Sequence, residues 1–170
     1  DGPANVLAAL ALLGQGRPDT ALEHARRAAA ALPDDPVAQT VLGQALVFCE
    51  QPAQALPILE QVLARVPGDP RASLVLARAH RLLGDDAAAR RHYEEALGID
   101  TGNAVALAGF TRVAGRSVGL GERWVVAQRL HDEGLDAEAR EEIVRVLRAH
   151  PGEPVPGSLV SAIRATPEQL

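Results

Sequence analysis

The segment PRASLVLARAHRLLGDDAAARRHYEEALGIDTGN, residues 70–103, decides the fold of this chain. It contains two stretches with helical spacing of apolar residues, and Gly84 separates them. Ala89 and Tyr93 fall at i and i+4, so they share one face of the second helix. Glycine readily takes the positive φ that ends a helix, and Asp85 can cap the helix that follows. The segment therefore predicts a helical hairpin.

The landmarks of this hairpin recur upstream at one constant spacing. Ala21, Ala55 and Ala89 are evenly spaced, and we call the distance from each to the next the repeat interval. Pro33 and Pro67 are separated by the same interval and stand at the end of each second helix. A proline there stops a helix and turns the chain into the next unit. A fixed period of about 20–50 residues is the signature of a repeat architecture in which hairpins stack on each other.

A longer pattern of leucine, glycine, alanine and proline runs through the second unit at Leu42, Gly43, Leu46, Ala55, Leu59 and Pro67. Corresponding residues of the third unit are Leu76, Ala77, Gly84, Ala89, Tyr93 and Ala96, with His80 in a slot that usually holds tyrosine. These residues resemble the tetratricopeptide repeat (TPR) family. The resemblance covers residues 2–103 clearly and residues 104–153 in modified form. It implies a right-handed superhelix whose first helices line a concave groove that receives peptide segments of partner proteins.

We therefore expect an all-α fold, a right-handed α-solenoid of antiparallel helix pairs, in a single domain over residues 1–170. The expected repeats are 2–35, 36–69 and 70–103, then a degenerate unit 104–119, a last unit 120–153 and a C-terminal cap 154–170. The sequence also permits another registration of the last part, because glycines interrupt the pattern after residue 114. In that registration 122–133 is the second helix of the fourth unit, and 136–149 is an additional helix.

Two helices of the first units depart from a regular pattern. The opening helix is apolar on nearly every side around Val6–Leu13, so it needs cover on more than one face. A preceding helix, another chain or a frayed end would each account for this, and docking of a second copy would make a homo-oligomer. In the second unit Pro57 cannot donate to Ala53, and we expect it to kink its helix or delay the helix start.

Composition limits the partners. The net charge of −5 argues against nucleic acid, and the longest apolar run falls well short of the ~20 residues that a membrane span requires. We therefore expect another protein as partner, no nucleic acid and no direct membrane insertion. A single cysteine, Cys49, excludes an internal disulfide. The compartment stays open between cytoplasm and periplasm.

The sequence contains no arrangement that predicts catalysis or a bound cofactor. Its five histidines show no metal-ligand spacing, and phosphate-binding glycine motifs and nucleophile motifs are absent. Adjacent acids such as Glu94 and Glu95 diverge around a helix. His80 falls in a core position and is interpreted as a packed ring. We expect no enzymatic activity, no metal and no cofactor.

By the family's geometry, one side of each first helix faces the groove. The candidate groove residues are Leu10, Thr40, Gln44, Val47, Phe48, Leu74, Arg78, Arg81, Arg112, Arg116, Trp124 and Gln128. They grade from apolar to arginine-rich along the chain, which suggests a peptide or helix with an apolar segment and carboxylates. The alternative is that these arginines pair with acids of their own chain.

Three functions remain open. The leading one is a non-catalytic protein–protein interaction scaffold within a bacterial assembly, secretion or envelope complex. The second is the targeting or substrate-recruiting part of a larger enzyme, such as a glycosyltransferase, sulfotransferase or hydroxylase. The third is a self-assembling structural repeat protein. The identity of the partner does not follow from the sequence.

Overall fold

The computed structural model describes residues 1–100, 102–114 and 119–164, and within these ranges the chain is helical without β-strands. The α-helices are α1 (Gly2–Gly14), α2 (Pro18–Ala31), α3 (Pro36–Phe48), α4 (Pro52–Arg65), α5 (Pro70–Leu82), α6 (Asp86–Ile99), α7 (Ala104–Ala114), α8 (Leu120–Asp132), α9 (Asp136–Ala149) and α10 (Val160–Arg164). A 3-10 turn, Gly157–Leu159, precedes α10. None of these helices combines the length and apolar character that crossing a bilayer requires.

Residues 1–101 form one compact unit of three stacked hairpins, α1–α2, α3–α4 and α5–α6. Within each hairpin the two helices pack against each other, so the predicted antiparallel helix pairs are confirmed, and the first helices α1, α3 and α5 also contact each other in succession. The three turns share one geometry, with φ of +69° at Gly16, +58° at Glu50 and +81° at Gly84. Glu50 is thus a non-glycine residue in a left-handed position that its two counterparts fill with glycine.

Small residues let the helices of each pair approach closely. The recurring alanines Ala21, Ala55 and Ala89 are fully buried. In the second hairpin Gly43 faces Leu59, and a Cβ added to Gly43 would lie only 2.7 Å from the Leu59 Cγ and Cδ2 atoms. The regular recurrence of small residues therefore has a packing cause, because larger side chains would hold the helix axes apart.

Pro57 does not delay the start of its helix, so that half of the expectation was wrong, while the expected kink stays a prediction. Helix α4 begins at Pro52 and continues through Pro57 to Arg65. Pro52 is in the first turn, where no hydrogen bond is lost, and Leu59 and Val62 are buried beyond Pro57. Burial of this apolar face outweighs the one backbone hydrogen bond that Pro57 cannot make.

Residues 102–170 form the second compact unit, with α7, the α8–α9 hairpin and the C-terminal segment. The α8–α9 turn repeats the geometry of the first unit, with φ of +76° at Gly134 and a hydrogen bond from the Leu135 N–H to the Leu130 carbonyl. Leu159 and Ala162 are fully buried in the core of this unit. The pairing of α8 with α9 favours the registration with a last unit at 120–153, although the repeat boundaries and the single domain stay predictions.

Candidate functional site

The first helices α1, α3 and α5 together form a groove with a cavity of about 480 Å³. Its lining consists of Leu10 from α1, Val37, Thr40, Val41 and Gln44 from α3, and Asp69, Pro70, Arg71, Leu74, Val75 and Arg78 from the start and body of α5. Val41 and Val75 are buried and form the floor, while Leu10 and Val37 remain exposed. The groove is an apolar concavity with a few polar groups, which is the usual composition of a binding site.

Helix capping sets the position of the groove walls. The Asp69 Oδ1 accepts hydrogen bonds from the backbone N–H groups of Arg71 (2.9 Å) and Ala72 (2.8 Å). Asp35 caps α3 in the same way, with its Oδ1 2.7 Å from the Val37 nitrogen. Each cap is followed by a proline at the first helical position, where its fixed φ suits the helix. These matching starts place equivalent residues of α3 and α5 side by side.

The two walls of the groove differ in charge. Arg71 and Arg78 lie seven residues apart on one face of α5, about 10 Å along the helix axis. The one carboxylate in the lining, Asp69, is engaged in its helix cap. The α1 side contributes only Leu10. The groove therefore offers an apolar wall opposite a wall that carries two guanidinium groups.

Arg78 also stacks on an aromatic ring. Its Cζ lies 5.2 Å from the centroid of the Phe48 ring, within the range of a cation–π interaction. Phe48 ends α3 and keeps its ring partly exposed. This contact holds the Arg78 guanidinium at the groove edge, so it reduces the side-chain entropy that a bound carboxylate would have to freeze.

The structure brings five of the predicted groove residues together in one cavity: Leu10, Thr40, Gln44, Leu74 and Arg78. Phe48 joins them through its contact with Arg78. Val47 is not among the residues that line the cavity, and its side chain is buried in the core of the first unit. Val47 directly precedes Phe48 on α3, and a step of one residue on a helix turns the side chain by about 100°. The two side chains therefore point in different directions.

The remaining predicted residues that the structure describes are not part of this lining. The Nε atom of Arg81 is buried without a hydrogen-bond acceptor among the described residues. In the second unit Arg112 donates to the Glu141 carboxylate at 2.8 Å, which is the alternative that the sequence left open for the arginines. Trp124 packs against the core of that unit, and Gln128 bonds Asp132 at 2.7 Å. Arg116 lies outside the described residues.

Sequence reasoning missed six residues of the groove lining, and two of them, Val37 and Arg71, lie on its walls. They stand one repeat interval apart, at equivalent positions in the first turns of α3 and α5. Thr40 and Leu74, which were predicted, follow them by three residues on the same helix faces. Extending the predicted rows by one helical turn toward the N-terminus of each helix would have found both.

Two titratable side chains of the first unit have shifted pKa values. Burial, followed by the neighbouring His92, lowers the pKa of His80, whose ring stacks on that of His92 with centroids 5.5 Å apart. Burial and then the nearby Asp19 raise the pKa of the Cys49 thiol. In the described ranges no three or more His, Cys, Asp or Glu side chains are grouped to hold a metal ion. His80 is packed in the hairpin and lies outside the groove lining.

Comparison with known proteins identifies solved structures of similar fold and a matching sequence family. No curated protein has a significantly similar sequence. A thermophilic TPR protein of Thermus thermophilus is 19% identical with a TM-score of 0.64, over 96% of this chain and 99% of that chain. A MamA structure from Desulfovibrio magneticus is 19% identical with a TM-score of 0.53, over 89% of this chain and 78% of that chain. A further MamA structure is 16% identical with a TM-score of 0.54, over 82% of this chain and 92% of that chain.

At these identities the likeness to solved structures concerns the fold, an α-solenoid. The family assignment comes from two sequence models, both described as tetratricopeptide repeat, which match residues 3–45 and 40–104. Together they span the three hairpins whose turns and helix starts recur at the repeat interval. The predicted resemblance is thereby confirmed, and the chain belongs to the tetratricopeptide repeat family.

Proposed function

We propose that this protein is a non-catalytic scaffold that binds a peptide or helix of a partner protein in the groove of α1, α3 and α5. The observation that supports the proposal most is the cavity of about 480 Å³ with one apolar wall and one arginine wall. Its size and concavity suit a few side chains of a bound segment. We further propose that this scaffold belongs to a bacterial assembly, secretion or envelope complex; the solved structures with the same fold support the scaffold role in general.

The charge of the groove favours an acidic partner segment. The chain as a whole carries a net charge of −5, so a groove wall with two arginines stands out from the rest of the molecule. Guanidinium groups bind carboxylates through paired hydrogen bonds that are stronger than neutral ones. We infer a segment whose apolar side chains contact Leu10, Val37 and Leu74 and whose carboxylates reach Arg71 and Arg78.

Selection of binders from a displayed library of random peptides tests this proposal. We expect selected peptides to combine apolar residues with Asp or Glu. The Arg71→Ala and Arg78→Ala variants should each weaken binding by roughly ten- to a hundredfold, since a hydrogen bond to a charged group contributes about 1.5–3 kcal/mol. Arg90→Ala is the matched control, because Arg90 lies on α6 outside the groove and pairs with Glu94. Peptides that bind the double variant Arg71→Ala/Arg78→Ala as well as the original chain would refute the acidic-segment proposal.

We also propose self-association through the apolar segment Val6–Leu13 of α1. It is supported by the exposure of Leu7, which does not line the groove. Self-association and peptide binding therefore use different residues, and an experiment that refutes one of them leaves the other open.

A further inference from the structure

The groove of α1, α3 and α5 carries an amide side chain at its centre. Gln44 of α3 stands one repeat interval after Leu10 of α1 and one repeat interval before Arg78 of α5, and all three residues line the cavity. An amide offers an acceptor oxygen and two N–H donors. Within the part of the chain that the structure describes, the Gln44 side chain makes no hydrogen bond. It is therefore available to a bound segment.

An extended segment can use this amide in a way that a helix cannot. In a helix each backbone N–H bonds to the carbonyl four residues before it, so a helix lying across Gln44 presents only side chains. An extended segment keeps its backbone groups unpaired, and the Gln44 amide can donate to a carbonyl and accept from an N–H. Polyproline II is such a conformation, because it has no internal hydrogen bonds. The centre of the groove therefore favours an extended occupant.

The size of the cavity also favours an extended occupant. A helix with its side chains is about 10–12 Å across, and two turns, the length between Arg71 and Arg78, occupy roughly 800 Å³ or more. The cavity is about 480 Å³. A helix would therefore lie partly above the groove, away from the buried floor residues Val41 and Val75. An extended chain needs only about 5 Å in its narrow direction, so it can reach that floor.

The two arginines of the groove set the spacing of acidic residues in the segment. Arg71 and Arg78 are seven residues apart, which places them about 10 Å apart along the α5 axis. In polyproline II, residues i and i+3 lie on one side and about 9 Å apart, because the conformation has three residues per turn. In a β-strand, residues i and i+3 point to opposite faces. Two carboxylates separated by two residues therefore match the arginine wall in polyproline II conformation.

The remaining sides of such a segment match the other sides of the groove. Successive residues of polyproline II are turned by about 120°. When the carboxylates face α5, one of the two intervening residues faces the apolar floor and Leu10, and the other is directed to solvent. The Phe48 ring, 5.2 Å from the Arg78 Cζ, restricts the position of one guanidinium. The segment thus needs one apolar residue between its two acidic residues.

We propose that the groove binds an extended segment in polyproline II conformation, with two acidic residues separated by two others, one of which is apolar. The carboxylates bind Arg71 and Arg78, the apolar side chain packs on the floor, and the Gln44 amide bonds the backbone of the segment. This inference rests on the proposed function and narrows it, since that function alone also allows a helix. A helix would need its acidic residues seven positions apart, so spacing distinguishes the two occupants.

Fluorescence anisotropy with three labelled peptides tests the proposal. The first contains Glu-Leu-Pro-Glu, in which proline favours polyproline II, and the second contains the same residues as Glu-Glu-Leu-Pro. The third is a helix fixed by a lactam bridge, with two glutamates seven residues apart and a leucine between them. The first peptide should bind at least roughly tenfold more tightly than either of the others. Replacement of either of its glutamates by glutamine should weaken it by roughly tenfold or more.

The outcomes separate this inference from the function on which it rests. Tightest binding by the helical peptide, or equal binding of the two glutamate arrangements, overturns the extended acidic segment and leaves peptide binding in the groove standing. Absence of binding by all three peptides up to millimolar concentration refutes both.

Replacement of Gln44 tests the backbone contact. Gln44→Leu should weaken binding of the Glu-Leu-Pro-Glu peptide by roughly threefold to tenfold, because a neutral hydrogen bond is lost. Gln54→Leu is the matched control and should leave that affinity unchanged, since Gln54 is an exposed residue of α4 outside the groove lining. Circular dichroism confirms that both variants are folded. An affinity that Gln44→Leu leaves equal to that of the original chain overturns the proposed backbone contact.

Discussion

Replacement of Gly43 by alanine tests the close approach of α3 and α4 on which the hairpin stack depends. The new Cβ would lie 2.7 Å from the Leu59 Cγ and Cδ2 atoms and 3.1 Å from Cδ1, so a fully buried side chain has to move. Overpacking of this kind destabilises a core by about 1–3 kcal/mol. Alanine also favours the helix by about 0.5–1 kcal/mol relative to glycine, which partly offsets that loss.

Gly98→Ala is the matched control, because Gly98 is an exposed residue of α6 whose added Cβ meets no atom within 4 Å. Both variants gain helix propensity, and the gain is smaller at Gly98, which is next to the last residue of α6. The difference between their free energies of unfolding is therefore a lower limit for the overpacking term of about 1–3 kcal/mol. Urea denaturation followed by circular dichroism at 222 nm measures it, with the slope of each transition checked for equality.

A double-mutant cycle with Leu59→Ala assigns the effect to the contact. On the original background this truncation should cost about 2–5 kcal/mol. On the Gly43→Ala background the same truncation should cost at least about 1 kcal/mol less, because it also relieves the clash. If Gly43→Ala is as stable as Gly98→Ala, the close packing of α3 on α4 does not exist as described.

Three further predictions concern the first unit. Glu50→Gly should stabilise the chain by about 0.5–1 kcal/mol in urea denaturation, since Glu50 has a φ of +58° that glycine adopts more readily. The control is Glu23→Gly inside α2, which should destabilise the chain by about 1 kcal/mol. Asp69→Ala should lower the free energy of unfolding by about 1 kcal/mol through loss of the α5 cap, with equal stability arguing against the cap. Because burial and then His92 lower the pKa of His80 in the folded chain, the unfolded chain protonates first as the pH falls below about 6.5. Stability should therefore start to drop as the pH falls through about 6.5 and level off only below the lowered pKa of His80 in the folded chain, and an unchanged drop in His80→Tyr would assign it to other groups.

The sequence was sufficient for the helices of the first unit because their signals are local. Gly84 and Asp85 mark the turn and cap of the third hairpin, and the alanine and proline spacing marks the units. The start of α4 was misjudged because the effect of Pro57 depends on how much of the helix is buried beyond it. Local pattern does not contain that information.

The groove was only partly predictable, since its lining depends on side-chain direction and on partners distant in sequence. Rows spaced by the repeat interval placed Gln44 and Arg78 together correctly. They could not reveal that Val47 turns into the core. Nor could they reveal that Arg112 pairs with Glu141, which lies 29 residues further along the chain.

The central claim is that the first helices hold a segment of a partner protein. Chemical-shift mapping of the isotope-labelled chain, titrated with a selected acidic peptide, tests this most directly. We predict the largest backbone shifts on α1, α3 and α5 at residues that line the groove, such as Leu10, Gln44 and Arg78. Shifts concentrated instead on the outward residues of α2, α4 and α6, such as Glu23 and Glu94, would contradict the account.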